Sequence, residues 1–183
     1  GSPSSGGIGY IPPVPSDAPV IQQPELSDID GHWAEKYITE MARAGIVKGF
    51  ADGSFQPEKQ ITRAELTKLA VGALSLETAE IPLFSDVIPE SWYYGYVGAA
   101  AQAGLVMGAG GDLFAPEQEI TREDVAVISI RMLAYRGIEL EGVRTFSDTA
   151  EISDYAVSAV CALAANGILT GDGGNMRPKD CIT

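Results

Sequence analysis

Four sequence anchors recur in the same order three times along this chain, and a threefold repeat restricts the fold more than any other feature. A pentapeptide bounded by glycines stands at Gly45-Ile46-Val47-Lys48-Gly49, Gly104-Leu105-Val106-Met107-Gly108 and Gly167-Ile168-Leu169-Thr170-Gly171. Each is followed by a proline and, four residues on, by Ile-Thr: Pro57 with Ile61-Thr62, Pro116 with Ile120-Thr121, Pro178 with Ile182-Thr183. A Ser-Asp pair precedes each pentapeptide, at Ser27-Asp28, Ser85-Asp86 and Ser147-Asp148, and the Asp-to-Thr spacing is 34, 35 and 35 residues. A unit of about 60 residues buries too little surface to stand alone, so the pattern predicts three copies sharing one core.

Twelve Lys+Arg against 25 Asp+Glu leave a net charge of −13. Such a surface repels phosphate backbones and anionic lipid, which argues against nucleic acid as a partner. The stretch from Ser91 to Gly111 is uncharged, but its glycines, Gln102 and its place in the repeat make it a buried helix and turn, so no membrane insertion is expected. Residues 1–24 are Gly-, Ser- and Pro-rich and read as a linker or tag, followed by one domain over 25–183 with repeats at about 25–83, 84–145 and 146–183. The chain opens Gly1-Ser2 with no initiator Met, so the lack of a secretory signal says nothing about compartment. Cys161 and Cys181 both fall in the third copy; two thiols and one histidine are too few for a metal site, which leaves a disulfide or two free thiols. No cofactor is expected.

Within each copy the pattern is helix, loop, helix, which makes the fold class mainly α. Apolar and small residues recur at helical spacing after each Ser-Asp: Ala34, Ile38, Met41 and Ala42; then Val97, Ala100 and Ala101; then Ala156, Val160, Leu163 and Ala164. Gly45, Gly104 and Gly167 stand where a helix C-terminus favours a left-handed residue. The loop that follows delivers one large apolar side chain inward, Phe55, Phe114 or Met176. A second helix begins at Thr62-Arg63-Ala64-Glu65 and at Thr121-Arg122-Glu123-Asp124, where Thr with an acid three residues on is a capping box, weaker with the shorter Asp124. The helix after Thr121 is apolar nearly all round and is expected at the centre of the assembly.

Ser-Asp, His32-Trp33-Ala34, Gly-Ile-Val-x-Gly, Asp-Gly-Ser-Phe-x-Pro and Ile-Thr-Arg-Ala-Glu, taken together, resemble the S-layer homology motif. The likeness covers residues 26–183, with the third copy eroded and truncated. It implies a pseudo-threefold, spindle-like bundle with grooves between neighbouring copies. It also implies the task of anchoring surface proteins noncovalently to secondary cell-wall polysaccharide, often ending in a pyruvylated N-acetylmannosamine, at the bacterial cell surface.

The residues fit that task. Arg63 and Arg122 stand at the first position of a helix, where a guanidinium beside unpaired N–H groups suits a single carboxylate. Trp33 and Trp92 lie twelve residues before the landmark glycine, where the third copy has Tyr155, and an indole offers a face to a pyranose ring. Asp28, Asp86, Glu65, Gly49 and Gly108 complete the set of candidate ligand-binding residues that the resemblance implies. Each has a structural alternative. The arginines can pair with Glu65, Glu123 or a repeat aspartate; the tryptophans can close the bundle core; Ser-Asp can cap a helix; His32 reads as surface decoration.

Two departures from the family pattern matter. Glu123-Asp124 replaces Ala-Glu beside Arg122 and is expected to compete for it, which favours the groove using Arg63. The third copy has no arginine after Thr183, so at most two complete arginine sites are expected, and apolar surface left open there is expected to be covered by another protomer, by the N-terminal segment or by further chain.

Rival classes fare worse. No nucleophile elbow, Cys/His pair, zinc signature or phosphate loop supports an enzyme. Asp52-Gly53-Ser54 and Gly171-Asp172-Gly173-Gly174-Asn175 lack the alternating acids of a calcium loop. A structural repeat module that holds other proteins or assembles with itself shares the same fold and differs only in ligand.

Overall fold

The computed structural model describes residues 26–81 and 83–183; the expected linker, 1–24, lies outside them. Among the described residues run five helices: α1 Glu35–Arg43, α2 Arg63–Leu74, α3 Tyr94–Gln102, α4 Arg122–Tyr135 and α5 Val157–Ala165, with a 3-10 turn at Thr149–Glu151. The protein is a mainly α repeat bundle: the first two copies supply two helices each and the third supplies one.

The three Ile-Thr anchors meet in a closed ring. Ile61 N–H donates to the Ile182 carbonyl at 3.0 Å, Ile182 N–H to the Ile120 carbonyl at 3.2 Å, and Ile120 N–H to the Ile61 carbonyl at 3.0 Å. Each copy thus donates once and accepts once, and the ring satisfies main-chain groups at its centre without any sheet edge. Ile120 is fully buried there.

The second helices of the first and second copies each start inside the next copy. Arg63 and Ala64 N–H groups donate to the carbonyls of Gln118 and Pro116, and Arg122 and Glu123 N–H groups donate to those of Asp180 and Pro178. These are donors that a helix N-terminus would otherwise leave unpaired. Accordingly α2 packs on α3 and α4 on α5, across the boundary between copies. α1 has no comparable helix partner among the described residues.

Two clusters make up the core. One gathers Val71, Val97, Ala100, Leu105, Phe114 and Ile128; the other gathers Phe146, Ala156, Val160, Leu163 and Met176. Helix α4 feeds both, sending Val125, Ile128 and Met132 to the first and Ala126, Val127, Ile130 and Leu133 to the second. That double duty explains why its sequence is apolar almost all round.

The landmark glycines close the first helices as expected. Gly45, Gly104 and Gly167 have φ of +71°, +72° and +71°, and Ile46 N–H folds back to the Met41 carbonyl at 3.0 Å. The Ser-Asp pairs correct the capping alternative, because the N-caps of α1, α3 and α5 are Ala34, Tyr93 and Ala156 and make no side-chain cap bond. Each aspartate instead staples a distant loop. Asp28 accepts from Phe55 and Gln56 N–H at 2.7 Å each, Asp86 from Phe114 and Ala115 N–H at 2.8 and 2.7 Å, and Asp148 from Met176 and Arg177 N–H at 2.8 and 2.7 Å. Gln56, Ala115 and Arg177 have φ of +58°, +57° and +53°, a conformation costly for residues with a Cβ, and the paired carboxylate bonds hold it.

Candidate functional site

Capping sets the two arginines in place. The Thr62 hydroxyl accepts from Glu65 N–H and the Glu65 carboxylate accepts from Thr62 N–H, a complete box, so Arg63 is fixed as the first residue of α2. In α4 the Thr121 hydroxyl accepts from Asp124 N–H but turns its own proton to the Asp124 carboxylate, so the shorter acid closes half the box.

From these positions each side chain crosses into the next copy. Arg63 Nε donates to the Phe114 carbonyl at 3.0 Å and Nη2 to the Met107 carbonyl at 3.2 Å, with the guanidinium 5.0 Å from the Phe114 ring centroid. Arg122 Nε donates to the Met176 carbonyl at 2.8 Å. Phe114 and Met176 are fully buried beneath their arginines, whereas Phe55 is partly exposed. Both arginines are only partly buried. The ion pairs among the described residues are His32–Glu58, Lys59–Glu65, Arg177–Asp172 and Lys179–Glu123, so neither Arg63 nor Arg122 is neutralised by a carboxylate there.

Each guanidinium opens onto a cleft built by all three copies. The Arg63 cleft, about 440 Å³, is walled by Met107 and Gly108 of the second copy, by Asp124, Val127 and Arg131 on α4, and by Tyr155 of the third. The Arg122 cleft, about 640 Å³, is walled by Thr170, Gly171, Asp180 and the Arg177–Asp172 ion pair of the third copy and by Trp33 and Tyr37 of the first. An arginine therefore meets the glycine loop of the next copy and the aromatic of the one after it. Trp33 is 79% exposed and Tyr37 61%, so Trp33 does not close the core. Trp92 lines neither cleft; its ring lies 5.7 Å beneath Lys68 Nζ and edge-on to Tyr93.

The acids of α4 do not compete for Arg122, contrary to expectation. Glu123, 3% exposed, turns to the third copy and accepts from Ser153 N–H at 2.9 Å, from the Ser153 hydroxyl and from Lys179 Nζ, with the Tyr155 hydroxyl oxygen 3.2 Å away. Burial pushes its carboxyl up, but the bonds from Lys179 and Ser153 outweigh it and hold the group below the usual glutamate value. Asp124 lines the Arg63 cleft instead and accepts from the Tyr155 hydroxyl at 2.9 Å. Burial of that hydroxyl end and then the Asp124 carboxylate push the Tyr155 phenol well above its ordinary range.

The other candidates have work inside the fold. The Asp28 carboxyl lies below the usual value because Phe55 N–H donates to it. Glu65 is held by Thr62 N–H and Lys59. A Cβ on Gly108 would stand 2.9 Å from the Leu113 carbonyl oxygen and 3.1 Å from the Phe84 ring; on Gly49 it would meet Leu26 and lie 2.6 Å from the Ser54 carbonyl oxygen. His32 is a tie rather than decoration: Ala34 N–H donates to Nδ1, and Nε2 lies 2.8 Å from Glu58. Cys161 and Cys181 are free thiols, which removes the disulfide alternative. Arg131 and Tyr37 escaped sequence reading; Arg131 aligns with Gly72 and so carries no repeat signal.

A family model described as S-layer homology domain matches residues 25–67, 83–126 and 145–183. The chain is 36% identical over 86% of its length to the exoglucanase XynX of Acetivibrio thermocellus, covering 15% of that protein. It is 36% identical over 86% to an amylopullulanase of Thermoanaerobacterium thermosulfurigenes, covering 9%. It is 31% identical over 90% to the surface-layer 125 kDa protein of Lysinibacillus sphaericus, covering 14%. The chain thus spans less than a sixth of each of these relatives.

Proposed function

Since the chain belongs to the S-layer homology domain family, the surface-anchoring modules of the cell envelope, we propose that residues 25–183 act as one domain that holds a larger protein to the wall by gripping an acidic cell-wall polysaccharide, pyruvylated where the polymer carries that group. Arg63 and Arg122 bind the acidic group, and Trp33 with Tyr37 offers aromatic faces to a sugar ring beside Arg122. Gly108 lets the loop at the edge of the Arg63 cleft pack against the Leu113 carbonyl and the Phe84 ring. Asp86 and Glu65 support the loop and the helix start beside the Arg63 cleft, whereas Asp28 and Gly49 shape the Phe55 loop of the first copy, which lines neither cleft. No step of bond making or breaking is assigned to this domain; relatives named as glycanases align with it over a small share of their length.

The observation that carries this reading is the pair of guanidinium groups, each anchored through Nε to a main-chain carbonyl and each facing an open cleft without a carboxylate partner among the described residues. An arginine fixed at one edge keeps its remaining donors preorganised for a planar or tetrahedral anion. On a chain of net charge −13 such spots admit an acid that fits while the surrounding surface repels generic polyanions. Sedimentation with purified walls tests it. The domain is expected to pellet with intact walls, to stay soluble with walls stripped of secondary polymer, and to lose retention in the double variant Arg63→Gln, Arg122→Gln. Equal retention by stripped walls, or by the double variant, overturns the reading.

A further inference from the structure

We propose that Arg131 is a second guanidinium on the acidic group seated in the Arg63 cleft, so that this cleft clamps one anion between two arginines free of carboxylate partners among the described residues, whereas in the Arg122 cleft the second arginine, Arg177, is already paired with Asp172 at 2.8 Å. This rests on the anchoring reading above and assigns specificity within it.

Arg131 sits in the C-terminal half of α4 and lines the same cleft as Arg63. The two side chains converge on one residue: Arg63 Nη2 donates to the Met107 carbonyl at 3.2 Å, and Arg131 Nη2 lies 3.5 Å from Met107 Sδ. Arg131 Nη1 also donates to the Leu105 carbonyl at 3.3 Å. A guanidinium has five N–H donors, so each arginine keeps three after its two bonds. Neither has a carboxylate partner among the described residues.

The fold itself does not demand an arginine there. The matching position in the first copy is Gly72, which packs against Ile46, and among the described residues no side chain donates to the Ile46 carbonyl, the counterpart of Leu105. The first copy therefore builds the same junction with no cation at all. In the second copy an arginine stands at that place, with spare donors in an open cleft. Asp124, the acid of that cleft, accepts from the Thr121 and Tyr155 hydroxyls at 2.8 and 2.9 Å and is ion-paired to neither arginine among the described residues, so both guanidiniums keep their spare donors.

The test uses the whole chain, arginine Nε–H resonances in a nitrogen-15 correlation spectrum, and sodium acetate as probe against sodium chloride at equal ionic strength. Arg63 and Arg131 signals are expected to move together with one Kd, at least threefold tighter than the Kd read at Arg122. Arg131→Gln is expected to weaken the Arg63 response to the Arg122 level, and Arg131→Lys, which keeps charge and stem, to fall between. An Arg131 signal that stays still while Arg63 moves, or an Arg63 Kd unchanged in both variants, overturns the proposal. Wall sedimentation of the wild-type chain separates the two claims. Retention with unchanged titrations sinks the clamp alone, and failure to pellet sinks the anchoring reading.

Discussion

The Tyr155 hydroxyl donates to the Asp124 carboxylate at 2.9 Å, joining the cleft aromatic of the third copy to the second helix of the second across the Arg63 cleft. It also reaches Glu123 at 3.2 Å. Tyr155→Phe keeps the ring and removes the one proton that the two carboxylates share, so urea unfolding is expected to report a loss of about 1 kcal/mol. In a spectrophotometric alkaline titration, one tyrosine is expected to ionise later than the others in the wild type, and that late step is expected to vanish in the variant. A stability equal to wild type would show that the hydroxyl contacts are incidental.

The aspartate staples predict opposite effects from two neighbouring changes. Asp86→Ala removes the acceptor for Phe114 and Ala115 N–H and is expected to cost about 2 kcal/mol by chemical denaturation. Ala115→Gly leaves those bonds and relieves the left-handed φ of +57°, so a gain of up to about 1 kcal/mol is expected despite the looser unfolded chain. Destabilisation by Ala115→Gly would contradict a left-handed backbone at Ala115.

Acid should act through the carboxylates that the fold holds ionised. Asp28, Asp148, Glu65 and Glu123 all lie below their ordinary values of 3.8 for Asp and 4.5 for Glu. A group whose folded pKa is depressed contributes stability that is complete above the unfolded pKa and disappears as pH falls through the folded one. Thermal midpoints are therefore expected to be level from about pH 8 to pH 6 and to drop below about pH 4.5. Glu123→Gln, less stable at neutral pH, is expected to show a shallower acid drop. An equal acid slope in that variant would remove Glu123 from the account.

The repeat made the fold class, the helix order, the glycine ends and the capping boxes legible before any coordinates, because each depends on local chemistry seen three times. Pairing across copies was not legible. Nothing in Thr62-Arg63 says that Arg63 crosses to Phe114 carbonyl, or that Trp33 faces Arg122 rather than its own copy's arginine, since these contacts follow from the Ile61–Ile182–Ile120 ring. The Ser-Asp pair misled for a related reason: a bond spanning 27 residues, Asp28 to Phe55, leaves no periodic trace, whereas a local cap has a known spacing. Arg131 was invisible because the first copy has Gly72 at its place.

The ring also predicts cooperativity. Ile120 is fully buried where all three copies exchange main-chain bonds, so Ile120→Ala is expected to cost roughly 2–5 kcal/mol. Because the copies share that centre, the loss should appear as one shifted transition with coincident fluorescence and circular-dichroism curves. Two separated transitions would mean that the copies fold as independent units and that 25–183 is not one domain.

The cross-copy make-up of the clefts can be read by double-mutant cycles on wall binding. Arg122 and Trp33 line one cleft although 89 residues separate them, whereas Arg63 lines the other. Residues that touch one ligand unit couple, and distant independent sites add. Arg122→Gln with Trp33→Ala is expected to deviate from additivity by 0.5 kcal/mol or more, on the order of contacting pairs. Arg63→Gln with Trp33→Ala is expected to add within about 0.3–0.5 kcal/mol. Trp92→Ala, lining neither cleft, is expected to leave affinity within about twofold of wild type, since truncation outside a contact surface costs little binding energy. Coupling of Trp33 to Arg63 but not to Arg122 would contradict the threefold assembly of the clefts, however well the domain pelleted with walls.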